Sequence, residues 1–242
     1  SFRYPDADAD VLEHISFTAK SGQTTAIIGS TGAGKSSLLN LIPRFFDVSY
    51  GRITIDGIDI RNLSLHKLHE VLGYDPQKGV LFSGDIESNL KFGGADISDA
   101  QMEQAAEIAQ ATEFIESKPD RYQTPIAQGG TNVSGGQKQR LSIARAIAKN
   151  PKIYLFDDSF SALDYKTDAA LRRALSERVH DATTIIVAQR ISTILHAEQI
   201  IVLDEGKVAG IGTHEELMKT CATYQEIARS QLSEKELGGM NA

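Results

Sequence analysis

The chain has 242 residues, 41% of them hydrophobic, a formal net charge of −7 and a single cysteine, Cys221. That length can bury a full core in one or two domains, and the apolar fraction lies in the globular range, which excludes a disordered chain. The negative balance argues against a nonspecific nucleic-acid binder. One cysteine excludes an internal disulfide and fits a reducing compartment, and no apolar run approaches the roughly 20 residues that span a bilayer.

Ser1 to Tyr4 (SFRY) alternates like a strand with nothing before it, so the sequence is expected to be a piece of a longer polypeptide. Thr24 to Ile28 (TTAII) is β-branched and apolar and reads as a buried strand. Gly29-Ser30-Thr31-Gly32-Ala33-Gly34-Lys35-Ser36 follows and fits G-x-x-x-x-G-K-[ST]. Ser36 to Ile42 then reads as a helix, ended or kinked near Pro43. Strand, loop and helix in this order are the context a phosphate-binding loop needs. The glycines let backbone N–H groups turn toward one point, where the helix start adds its positive dipole end. Lys35 is placed to reach the β- and γ-phosphates of ATP and the Ser36 hydroxyl to hold Mg²⁺, with Ser37 beside them in the same cradle.

Further on, Ile53 to Ile55 reads as a strand and Leu65 to Leu72 as a short helix. His66 and His69 share a face of that helix but lack a third ligand, so no zinc site is expected. From about Asp85 to Asn150 the pattern is helical without strands. Ser98 to Gln101 forms a capping box that opens an Ala-rich helix through Ala111, and Gly135 to Ala148 forms another helix. Strands return at Ile153 to Phe156, Thr184 to Val187 and Gln199 to Leu203. Thr213 to Glu216 caps a late helix, and Ser233 to Ala242 is expected to fray. The layout is α/β, a parallel-sheet core (1–84 and 151–242) interrupted by a helical insert (about 85–150). Asp157 emerges at the carboxyl end of its apolar strand, where open α/β sheets place their ligands. From there an acid can hold Mg²⁺ through water, opposite the loop serine.

These motifs, with Val133-Ser134-Gly135-Gly136-Gln137 downstream, resemble the ATP-binding cassette (ABC) ATPases, specifically the nucleotide-binding domains of exporter-type transporters. The resemblance runs essentially end to end. It implies a P-loop NTPase (RecA-like) core with an antiparallel β arm and an inserted α-helical subdomain. It also implies ATP and Mg²⁺ as ligands and a place at the cytoplasmic face of the cell membrane beside a transmembrane domain. By the same resemblance Tyr4 stacks on adenine, and Gln77, in Tyr74-Asp75-Pro76-Gln77, touches both Mg²⁺ and the transmembrane partner. Ser134, Gly135, Gly136 and Gln137 match the signature motif, although the family's usual first residue is leucine where this chain has Val133. That motif is implied to meet the γ-phosphate held by a second nucleotide-binding domain, across an interface crossed by Ser161 to Asp164. Thr124 to Gly130 resembles the exporter segment before the signature, with Gln128 in place of its usual glutamate.

Two departures bear on mechanism. Asp158 stands where the family usually has a water-polarising glutamate, and Gln189 where it has histidine. A carboxylate about 1.5 Å short is significant, because a misplacement of about 1 Å can cost about 100-fold. Gln189 can donate a hydrogen bond to the γ-phosphate but cannot become cationic. Together with Gln128 these residues resemble the degenerate-site subunit of heterodimeric bacterial multidrug exporters. Natural degeneracy is expected over an engineered trap, which usually alters one position. Asp158, Gln77 and Gln189 would then form a weak catalytic set, and the second domain would be non-identical. The chain has neither the long coiled coil of repair-type relatives nor the paired cassettes of translation-type ones. Thr124 to Gly130 and Leu81 to Ile86 favour an exporter over an importer. An ATP-binding regulatory module without turnover and a fully active homodimeric ATPase are the remaining alternatives.

Overall fold

The computed structural model describes residues 1–94, 96–178 and 181–232; the tail expected to fray lies outside them. Its longer strands are Thr24–Gly29 (β1), Leu72–Asp75 (β2), Ile153–Asp157 (β3), Thr183–Val187 (β4), Gln199–Asp204 (β5) and Lys207–Gly212 (β6). Two helices open at the glycine-bearing motifs, Lys35–Leu41 (α1) and Gly135–Ala148 (α2). The chain packs as two compact units. One is built from Ser1–Glu70 with the chain from Thr183 onward, the other from Val71–Ala182.

In the first unit β1 runs between β4 and β5, parallel to both, with Ala26 opposite Ile186 on one side and Ile200 on the other. Ala26, Ile27 and Ile28 are fully buried, as expected of a strand covered on both faces, and this is why its sequence reads as an unbroken apolar run. The sequence pattern does not reveal β6, whose alternation is broken by Gly210 and Gly212. It returns antiparallel to β5 through Glu205-Gly206, both at positive φ (45° and 76°), the backbone that two-residue hairpins favour. A second antiparallel hairpin joins Thr54–Ile55 to Ile58–Asp59. The strand expected at Ser1 to Tyr4 reduces to one antiparallel bridge, Phe2 with Leu12. Beyond it the ladder stops, because the Arg3 N–H is given to the Ser49 hydroxyl (2.9 Å).

The second unit holds β2 and β3 as a parallel pair, Leu72 opposite Ile153 and Asp75 opposite Phe156. Here the sequence expectation needs correction. The helix foreseen over Leu65 to Leu72 ends at Glu70, and Leu72 already belongs to β2. The apolar spacing of Leu65, Leu68 and Leu72 continues through the boundary and hides it. Gly73 is the overlooked signal, since a Cβ there would lie 2.6 Å from both the Ala146 carbonyl oxygen and Pro151. The stretch foreseen as free of strands also contains a short pair, Gly84–Asp85 with Pro125–Ile126. The Ala-rich helix covers Asp99–Ile108 rather than reaching Ala111, because Gln110 turns into the left-handed region (φ 58°). Helix α2 spans the residues foreseen and buries Leu141, Ile143, Ala144 and Ile147.

Candidate nucleotide-binding site

The first unit carries Tyr4, the loop Gly29 to Ser37, and Gln189; the second carries Gln77, Ser134 to Gln137, Asp157 and Asp158.

The loop after β1 owes its shape to its glycines. At Gly29 a Cβ would sit 2.1 Å from the Leu203 carbonyl oxygen, so the strand end can approach β5 only without one. Gly34 takes φ 96° and forms the N-cap of α1, and its missing Cβ would meet Leu12 at 2.7 Å. Helix α1 begins with no side-chain cap hydrogen bond, whereas Ser98, Ser134 and Thr213 each form a capping box at theirs. The Lys35 ammonium lies over the loop, donating to the Gly29 and Ser30 carbonyl oxygens at 2.8 Å each. Backbone N–H groups at a helix start, glycines with left-handed φ and an ammonium on the same loop form a donor set that fits a polyphosphate.

Tyr4 lies beside this loop. Its hydroxyl is 2.8 Å from the Ser37 hydroxyl, and its ring meets Phe2 (4.7 Å) and Phe46 (5.1 Å) edge-on. The ring is thus braced from two sides. Replacing Tyr4 with alanine is expected to weaken Mg-ATP affinity by the stacking of one aromatic on a base, roughly 1–3 kcal/mol, whereas phenylalanine should change little. Titration calorimetry on both variants tests this; an equal loss in both would assign the effect to the hydroxyl instead. Gln189 follows β4 and is exposed, and its carbonyl oxygen accepts from Gln231 (2.8 Å).

In the second unit Asp157 closes β3 and is buried, and its charge raises the pKa of the Tyr74 phenol together with burial, the larger cause. Asp158 follows in the left-handed region (φ 52°), which aspartate tolerates better than most residues. The next turn is fixed by Ser161, whose N–H (3.3 Å) and hydroxyl (2.9 Å) both donate to the Asp158 carbonyl oxygen. Gln77 is exposed, two residues beyond β2. Within this unit Gln77 and Asp157 carry amide and carboxylate oxygens, and in the first unit Ser36 carries a hydroxyl, each a kind of donor that suits Mg²⁺.

The signature residues open α2. The Ser134 hydroxyl accepts from Gln137 N–H (3.2 Å), and the Gln137 side chain accepts from Ser134 N–H (3.1 Å). A hydroxyl that accepts at a cap still has its proton to donate. A Cβ at Gly135 would meet nothing within 4 Å among the described residues, so packing against them does not require this glycine.

Sequence reasoning missed Asp75. It is fully buried at the end of β2, bonded to Ser142 and to Gln139 (2.9 Å), and burial pushes its pKa up to about 6 against those hydrogen bonds. The only signal available was a charged residue inside an otherwise apolar β2.

A family model described as ABC transporter matches residues 12–161. An uncharacterized ABC transporter ATP-binding protein of Mycobacterium bovis is 48% identical over 243 residues, covering 99% of this chain and 41% of its own length. A Staphylococcus aureus protein named for multidrug export, an ATP-binding/permease protein, is 40% identical over 227 residues, covering 94% of this chain and 39% of its own. The solved structure of a bacterial Atm1-family ABC exporter with ATP bound is similar at a TM-score of 0.92 and 39% identity, over 96% of this chain and 41% of that one. The chain therefore spans about two-fifths of the length of these relatives. With a phosphate-binding loop shaped for a polyphosphate and a family match across most of its length, the chain belongs to the ABC transporter family, as an ATP-binding domain of the exporter type.

Proposed function

We propose that this chain binds and hydrolyses ATP for an exporter, closing head-to-tail on nucleotide with a second, non-identical ATP-binding domain at the cytoplasmic face of a membrane. The observation that carries the ATP assignment is the loop itself, with its left-handed glycines leading into a helix start and its Lys35 ammonium. Lys35 and the loop N–H groups bind the β- and γ-phosphates, and Tyr4 orients the base. Ser36, Gln77 and Asp157 would hold Mg²⁺, which would supply positive charge to offset that of the phosphates. The degenerate reading rests on two side chains. Asp158 takes the place of the water-orienting acid with a shorter reach, and Gln189 donates a neutral hydrogen bond where a cation would stabilise more charge. In this reading the Ser134 hydroxyl and the first N–H groups of α2 face the nucleotide of the other domain. This chain's own site then turns over slowly and serves to hold the pair closed, since a ligand that favours the closed state stabilises it.

The test is the double substitution Asp158→Glu with Gln189→His. It restores reach and a titratable donor, and turnover should rise when the protein is concentrated enough for two copies to meet. Steady-state ATPase activity measures it. Unchanged turnover with intact ATP binding and pairing would remove these two residues as the limit on catalysis.

A further inference from the structure

Helix α2 and its C-cap Lys149 present Gln139, Ser142, Arg145 and Lys149 at spacings of three, three and four, the spacing of one helical face. Each of them holds the chain segment 72–80, which contains β2 and Gln77. Lys149 Nζ donates to the Leu72 carbonyl oxygen (3.0 Å), and Arg145 Nη1 donates to that of Val80 (2.8 Å). Between these points Gln139 Nε2 donates to one oxygen of Asp75 (2.9 Å) and the Ser142 hydroxyl to the other. Past Gln77 the backbone comes back to the same side chains. A Cβ on Gly79 would lie 2.8 Å from both Cβ and Oγ of Ser142. Gln77 thus protrudes from a loop whose two feet stand on Ser142 and Gln139. On its other side Asp75 meets the turn after β3, because the buried Ser159 hydroxyl donates to its carbonyl oxygen (3.4 Å).

A fully buried carboxylate is costly, and an apolar residue would fill the same space more cheaply. Apolar contact, however, lets a strand slide or a helix roll. Two donors converging on two carboxylate oxygens fix both register and rotation. The same helix opens at Ser134, its N-cap.

We infer that Asp75 is a positioning residue, whose carboxylate fastens the strand leading to Gln77 onto the signature helix so that Gln77 and Ser134 move as one body. The consequence for turnover rests on the ATP-hydrolysing role proposed above; the mechanical link does not. When nucleotide draws Gln77, the pull reaches Ser134 through the bonds of Asp75 to Ser142 and Gln139.

The test uses the protein with Cys221→Ser and spin labels attached through Lys78→Cys and Lys138→Cys, next to Gln77 and to the signature. Electron-spin distance measurements with and without Mg-ATP should give one narrow distribution that nucleotide does not shift. In Asp75→Asn, and separately in Ser142→Ala with Gln139→Leu, the distribution should broaden. In both, kcat should fall about ten-fold while KM stays within about two-fold, the mark of lost positioning rather than lost binding. If Asp75→Asn fails to fold, the Ser142/Gln139 variant decides alone. A distribution that stays narrow in the folded variants overturns the link, as does a fall in kcat that is matched by an equal rise in KM. If the unsubstituted protein fails to bind ATP, the ATP role fails, and the nucleotide-free distances still decide the link.

Discussion

Replacing Lys35 with alanine is expected to remove measurable Mg-ATP binding while leaving the fold in place. The ammonium donates to two carbonyl oxygens of the loop, Gly29 and Ser30, at 2.8 Å each. It is therefore already held where a β- or γ-phosphate oxygen would replace those neutral acceptors with charged ones. Hydrogen bonds to charged groups contribute roughly 1.5–3 kcal/mol each, so two lost contacts lower affinity by more than about 100-fold. The fold has little reason to respond. Lys35 is the first residue of α1, alanine is the best helix former, and the loop takes its shape from Gly29 and Gly34 rather than from the lysine. Titration calorimetry with Mg-ATP reads the binding, and circular dichroism confirms the helices. Unchanged affinity in a folded Lys35→Ala protein ends the phosphate-loop assignment.

The sequence is most legible where local chemistry decides the structure alone. At α2 the capping serine, its Gln137 partner and the apolar spacing agree, and the helix covers Gly135–Ala148 as foreseen. The loop at Gly29 to Ser36 is legible for the same reason, since each glycine answers a backbone need visible in the motif. β2 is not, because four residues with a glycine and a buried aspartate carry no alternation. What makes them a strand is pairing with Ile153–Phe156, some eighty residues away in sequence. β6 hides likewise behind two glycines and is revealed only by its neighbour β5. Asp75 shows the limit most directly. In the sequence it is an acid two residues before Gln77. Its meaning comes from Gln139 and Ser142, which reach it only once α2 is packed.

Two substitutions in this chain should have opposite weight in the assembled transporter, Gly135→Asp severe and Asp158→Ala mild. Within the described residues a Cβ on Gly135 meets nothing within 4 Å, and its φ is not left-handed, so packing and backbone geometry do not by themselves require a glycine there. In the proposed pair, harm from Gly135→Asp comes from outside the chain, where its bulk and negative charge would confront a nucleotide held by the second domain. Donors aimed at a phosphate act where charge redistributes during transfer, and spoiling one such group costs on the order of 100- to 1,000-fold in turnover. Asp158 in the proposed arrangement serves only this chain's own site, where its carboxylate already falls short. Removing it should lower turnover of the pair only a few-fold. The measurement is the ATPase activity of the purified complex carrying each change on this subunit alone, with ATP binding followed in parallel. A complex silenced by Asp158→Ala and spared by Gly135→Asp would place the working site on this chain and end the asymmetric reading.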